Sequence, residues 1–307
     1  MQGLFIACLI TLTVAASSGC TRQDEVLADK RSPSPAIRPV LIIGLIPEQN
    51  VFRQLERYRP LAEYLSERTG TEIKLKVLLR YGNIINNFMS EGLDGAFFGS
   101  FTYTIAHARL GVKVIARPED LDGRSTYHGV IFTRRDSGIR TIADMRGKRL
   151  AFVDKATTAG YLVPLAYFRT QGIDHRTYLR ETYFAGTHEN AILDVLDGKA
   201  DVGAAKNTVF LRPVGANRRS VEGLRVVLRS PEVPENALAF KQDLDPALVE
   251  KIRGLLLSMQ SDPEGAGVLA AFKARRFIAT TDADYRPVYR SIREAGIDPA
   301  TYDYLNE

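Results

Sequence analysis

Thr157, Thr158, Ala159 and Gly160 stand in the run VDKATTAGYLVP, behind an apolar stretch suited to a strand and ahead of one spaced as a helix. The first turn of a helix has unpaired N–H groups and carries the positive end of the peptide dipole, so an anion binds there readily. Hydroxyls on Thr157 and Thr158 add donors without the desolvation cost of a buried lysine, and small Ala159 and Gly160 let the backbone approach closely. The same residues also make an ordinary N-cap with no ligand. The local sequence leaves both readings open. The GxxxxGK[ST] spacing of a P-loop is absent.

Other polar or aromatic residues fall at similar places. Tyr81 precedes a helix after the second expected strand. Its phenol is suited to donate to an oxyanion, or its ring simply packs on a rim. Phe98 ends LDGAFFG and is followed by Gly99 and Ser100 at another helix start. Phe98 forms either an apolar wall of a site or part of the core. His188, in AGTHEN, opens a further helix, where an imidazole that titrates near neutrality can donate a charge-assisted bond. A solitary histidine is more often structural, and the HExxH spacing of a zinc site fails at Glu189.

These residues sit on alternating elements. Short apolar runs such as VLIIGLI read as strands buried on both faces, and FRQLERYRPLAEYLSERTG has helical spacing that stops at Gly70. Repeats of this βα pattern predict mainly parallel strands in two α/β units. The boundaries expected are 40–121 plus 240–307 for one lobe and 127–234 for the other, with hinge crossings near 122–126 and 235–239. In open sheets of this kind ligands collect at the carboxyl ends of strands.

Before the folded part, an apolar segment from Leu4 to Ala16 has the length of an export signal, and Cys20 is the only cysteine beyond it. Residues 1–19 are expected as a signal peptide and 20–39, polar and Pro-bearing, as a tether. The 307 residues carry 45% hydrophobic and 25% charged side chains and a net charge of +5. Basic residues are scattered rather than striped, which argues against nucleic acid and suits a small anion. Four histidines, no spare cysteine and no GxSxG elbow leave nothing for nucleophilic or metal catalysis. The expectation is a binding protein without catalytic residues, metal or cofactor.

The stretches YRPLAEYL, LDGAFFGSFTY, TRRDSGIRTIADMRGKRLAF, TTAGYLVP and FAGTHENAILDVLDGKADVGA together resemble the phosphate/phosphite/phosphonate-binding proteins of bacterial ABC importers. The resemblance implies an α/β, two-lobed type II periplasmic binding protein fold with a central ligand cleft. It implies a monomeric extracytoplasmic protein that captures phosphate, phosphite or a small phosphonate for an ABC permease. SSGC before the tether resembles a lipobox, implying a lipid anchor at Cys20 and a place in the bacterial cell envelope. The family commonly has Ser-Thr-Ser-Gly where Thr157, Thr158, Ala159 and Gly160 stand, so a third hydroxyl is missing. By the same resemblance Tyr81, Phe98, Ser100 and His188 face the ligand. Members that recognise an amino group use acids where AAKNTVF and PENALAF fall. Here the first supplies Lys206, Asn207 and Thr208, and the second Glu235 and Asn236, so Asn207 is a ligand candidate and an aminoalkyl tail is poorly served. A ligand-sensing lipoprotein of the same fold, working with a sensor in place of a permease, is the alternative.

Overall fold

The computed structural model describes residues 38–48, 51–212 and 221–306. The first part of the chain runs β1 (Val40–Leu45), α1 (Val51–Thr69), β2 (Glu72–Val77), α2 (Asn83–Ser90), β3 (Gly95–Phe98), α3 (Ser100–Leu110) and β4 (Lys113–Glu119). Tyr58, Leu61, Ala62 and Leu65 are buried along α1, as i, i+3, i+4 spacing requires, and Gly70 ends it at φ +75°. The chain then crosses through β5 (Thr126–Tyr127) into β6 (Gly129–Arg134), β7 (Arg149–Phe152), α4 (Val163–Thr170), α5 (His175–Tyr178), β8 (Glu181–Phe184), α6 (His188–Leu196), β9 (Val202–Lys206), α7 (Asn207–Phe210) and β10 (Leu224–Arg229). It returns by β11 (Val233–Pro234) to β12 (Ala237–Phe240), α8 (Pro246–Ser258), α9 (Pro263–Phe272), β13 (Arg276–Ala279) and α10 (Arg286–Glu294).

Two sheets result, each the floor of one lobe. The first has the order β13-β4-β12-β3-β1-β2 and the second β10-β6-β9-β7-β8. Between them β5 and β11 pair antiparallel, Tyr127 opposite Val233. Both sheets lie in one compact unit, Arg38–Glu307. The expectation of mainly parallel strands needs correction. β1 is parallel to β2 and β3, but β12 returns from the other lobe and inserts antiparallel between β3 and β4. β6 likewise enters the second sheet antiparallel to β9. A strand that arrives by a crossing, without its own βα turn, has no reason to run with the others.

Two boundaries also differ. Ala237–Phe240, which includes residues expected in the hinge, is fully buried in the middle of the first sheet. Helix α10, expected wholly with the first lobe, packs against α3 of that lobe and α4 of the other.

The first lobe's outer core centres on Tyr58, whose ring meets Phe97 and Phe272 edge-on, each at 4.9 Å. A second core runs without a break from Phe98 and Phe101 through Tyr127 to Phe132, Phe152 and Ala159. It joins the lobes where the ligand loops meet. Each phenylalanine so buried contributes about 1.5–3 kcal/mol.

Candidate functional site

Thr157 to Gly160 follow β7, as the strand-loop-helix pattern requires, but the helix opens with a π-helical turn, Thr158–Leu162, that runs straight into α4. The Leu162 amide bonds the Thr157 carbonyl at 3.0 Å, five residues back. A π turn widens the helix mouth and adds one more N–H without a partner inside the helix. Gly160 is needed for packing, because a Cβ there would lie 2.4 Å from Val153 Cβ. Its bare face therefore meets Val153, just after β7, and the Thr157 hydroxyl. Ala159 packs on Gly129 of β6, leaving little space for a larger side chain at either position.

The two threonines behave differently. The Thr157 hydroxyl donates to the Asp154 carbonyl at 2.7 Å and closes the loop on itself. The Thr158 hydroxyl crosses between lobes and accepts the Phe101 N–H at 2.9 Å, at the start of α3. Burial raises the pKa of the Tyr127 phenol on the crossing strand, while Lys206 and the nearby hydroxyls of Ser100 and Thr158 oppose the rise. Ser100 donates to the Pro234 carbonyl of the return crossing. Two helix starts, one from each lobe, thus face each other through neutral hydroxyls, all of them buried.

Tyr81 and His188 complete this cluster. Tyr81 lies in the turn before α2, 3% exposed, and its hydroxyl is buried without a hydrogen-bond partner among the described residues. Burial, with Glu48 and Asp154 adding, raises its pKa well above the ordinary phenol value, so it remains a donor. Its ring stands edge-on to His188 at 6.0 Å. His188 begins α6, and its Nδ1 accepts the Lys206 N–H at 3.2 Å. That bond leaves the ring proton on Nε2. Burial pushes the imidazole down to about 4, Glu48 opposing and Lys206 adding. The expectation that His188 titrates near neutrality and offers a charge is therefore corrected: at neutral pH it is an uncharged donor.

Phe98 and Asn207 have other partners. Phe98 is wholly buried and stacks on Phe88 at 5.6 Å. The Asn207 side-chain Oδ1 accepts the His128 backbone N–H at 3.0 Å, while the Asn207 backbone N–H donates to the His128 carbonyl at 3.0 Å. It pins β6 to the start of α7. Cys20 lies outside the described residues.

Beside the neutral cluster is an ionic one that sequence reasoning did not assemble. Lys206, at the end of β9 and 3% exposed, places its ammonium 3.0 Å from Glu48 and in contact with Glu235. It also lies 4.4 Å from the centre of the Tyr127 ring. Glu48 belongs to the first lobe, Lys206 to the second and Glu235 to the return crossing. Burial works against the lysine's charge, yet Glu235 and Glu48 raise its pKa above the usual range. Burial alone would raise Glu48 too, but Lys206 and then His188 bring it down to about 2. The signal for Glu48 was present, since IPE directly follows the apolar run of β1, at a strand's carboxyl end.

The C-terminal segment holds the loops. Asn306 accepts the Lys155 amide at 3.0 Å and donates to Asp154 at 2.9 Å. Tyr304 bonds Asn86 and packs on Gly82, where a Cβ would come within 2.9 Å of its ring. One strap thus touches the Tyr81 turn and the Asp154 loop. A larger cavity of about 680 Å³ lies behind Tyr161, between α4, α5 and residues 295–302, away from the neutral cluster.

The profile of a family described as "ABC transporter, phosphonate, periplasmic substrate-binding protein" matches residues 43–285. The chain belongs to this family. The phosphonate-family chain is 24% identical over 299 residues to the phosphate-import protein PhnD of Mycolicibacterium smegmatis, covering 91% of each. A phosphonate-transporter binding protein of Pseudomonas aeruginosa superposes with a TM-score of 0.77 at 22% identity, covering 84% of this chain and 87% of that one. PhnD1 of Prochlorococcus marinus, solved with methylphosphonate, superposes with a TM-score of 0.73 at 21% identity over 84% and 98%. The family consists of substrate-binding components of ABC transporters and not of enzymes, and these neighbours share its two-lobed fold. Among the described residues no helix is long and apolar enough to cross a membrane.

Proposed function

We propose that this protein captures phosphate, phosphite or a small alkyl phosphonate between its lobes and presents it to an ABC permease, as a monomer tethered to the membrane through a lipid on Cys20. The observation that carries the ligand reading is the meeting of two helix starts, at Phe101 and Thr158, beside a Tyr81 hydroxyl with no partner among the described residues and a neutral His188. Each of these groups donates to an oxyanion without bringing a charge of its own. Anion binding then gains amide and hydroxyl bonds and loses only contacts the lobes make with each other, such as Phe101 to Thr158. The M. smegmatis relative's name, phosphate import, and the methylphosphonate in the P. marinus structure lie within the ligand class that these donors suit.

The proposed ligand contacts are Tyr81, Ser100, Thr158, the amides of 158–160 and His188, with Thr157 shaping the loop. Phe98 and Asn207 support the walls. The lobes close by rotation about the paired crossings near β5 and β11, and ligand favours closure by binding that state better.

A melting-temperature screen with phosphate, phosphite, methylphosphonate, 2-aminoethylphosphonate and sulfate tests the reading. At least one of the first three should raise the midpoint in a concentration-dependent way. Silence from all of them removes the oxyanion role. For the anchor, Cys20→Ser is expected to move the protein from the membrane fraction to the soluble one.

A further inference from the structure

The neutral cluster supplies donors for an anion, yet the carboxylates of Glu48 and Glu235 stand next to it. Two acids beside an anion site are unfavourable unless something positive sits between them. Lys206 does so. Its ammonium bonds Glu48 at 3.0 Å and contacts Glu235, and its own backbone amide holds His188 at 3.2 Å. One residue therefore touches both halves of the cleft: main chain on the oxyanion side, ammonium on the acidic side. Glu235 is held in place besides, accepting the Asn236 amide at 3.1 Å. On its outer side the acidic half opens on a polar cavity of about 80 Å³ lined by Glu48, Arg57, Arg124, Lys206, Arg212 and Glu235.

Resting on the oxyanion reading above, we infer that Lys206 is a built-in occupant of a cation subsite, filling with its own ammonium the place that the positive end of a zwitterionic phosphonate would take. The protein then selects oxyanions with no cationic tail. A ligand ammonium would have to displace one already bonded to two carboxylates and tethered to the chain, and would leave Lys206 buried with no counter-charge. Truncating Lys206 removes the occupant and leaves both acids facing an enlarged cavity, in which a free ammonium becomes the favoured guest.

Calorimetric titration and melting midpoints of wild type and Lys206→Ala test this, with methylphosphonate, 2-aminoethylphosphonate and ethylammonium chloride as probes. Wild type is expected to bind methylphosphonate at least about tenfold more tightly than 2-aminoethylphosphonate, the size of one charged hydrogen bond. In Lys206→Ala that order should reverse. Ethylammonium should raise the midpoint of the variant and leave wild type unchanged, with sodium chloride at equal ionic strength as the reference. Should Lys206→Ala fail to fold, Lys206→Ala with Glu235→Gln buries one charge fewer and is expected to show the same reversal and the same ethylammonium response. Adding Glu48→Gln as well should abolish both. An unchanged ligand order together with no ethylammonium effect in the variants overturns the inference. A wild type that binds neither phosphonate defeats the oxyanion reading instead, and the ethylammonium arm still reads the cation subsite independently.

Discussion

Two buried polar clusters lie side by side between the lobes, and they solve the problem of burial in opposite ways. Thr158, Ser100, Tyr127, Tyr81 and His188 are uncharged, and most are satisfied by one another or by backbone. Glu48, Lys206 and Glu235 are ions that compensate each other across the interface. A neutral cluster can exchange its internal bonds for bonds to an anion at small cost, because no charge is stranded when they open. An ionic cluster cannot, since losing one member leaves another buried and unpaired. The first arrangement is suited to a ligand that comes and goes. The second is suited to fixing how the lobes meet and which ligands are refused.

The sharpest way to break the contrast is to remove one ion. Glu48→Ala should cost about 3 kcal/mol of stability, read as a lower urea midpoint, because Lys206 keeps only Glu235. A loss below about 1 kcal/mol would place Lys206 in solvent-like surroundings and erase the distinction between the clusters.

The next effect comes from pH. His188 has a pKa of about 4 when folded and 6.5 as its ordinary value, so below pH 6.5 the unfolded chain takes up the extra proton. Stability from this residue is complete above pH 6.5 and drains as pH falls towards 4, by roughly 2 kcal/mol at pH 5. Glu48, held near 2, adds its own loss only below 4.5. His188→Gln should flatten the melting curve between pH 6.5 and 5. An equally steep profile in that variant would assign the titration elsewhere.

Thr158→Val keeps the shape and deletes the acceptor for the Phe101 amide, so about 1–2 kcal/mol should be lost together with most oxyanion affinity. Thr158→Ser should recover both. The smallest stability effect belongs to Tyr81→Phe. Its hydroxyl has no partner among the described residues, so the ligand-free variant should melt at the wild-type temperature or slightly above, while oxyanion affinity drops about tenfold. A destabilised variant would mean that the hydroxyl already has a structural bond.

Much of the architecture was legible in the chain. Apolar runs and i, i+3, i+4 spacing located β1, α1, β3 and α6, and the hydroxyls before the GYLVP run marked the loop after β7. The family resemblance pointed to Tyr81, Ser100 and His188, and the strand-end rule agrees with it, since Ser100 and His188 begin helices and Tyr81 lies just before one. Strand direction was not legible, since β12 and β6 enter by crossings whose sense depends on how two lobes are joined. That the Asn207 side-chain oxygen accepts the His128 amide, 79 residues away, was not legible either, because such a bond leaves no local trace.

Glu48, Lys206 and Glu235 show the limit most clearly. Each was visible as a charged residue in a loop or at a strand end, and nothing in their spacing links positions 158 and 29 residues apart. Local pattern determines which elements form and where their ends lie, because hydrogen bonding and periodicity act over a few residues. Which charges meet, and whether a histidine stays neutral, depends on distance and burial after the lobes have come together, and only the tertiary structure decides those.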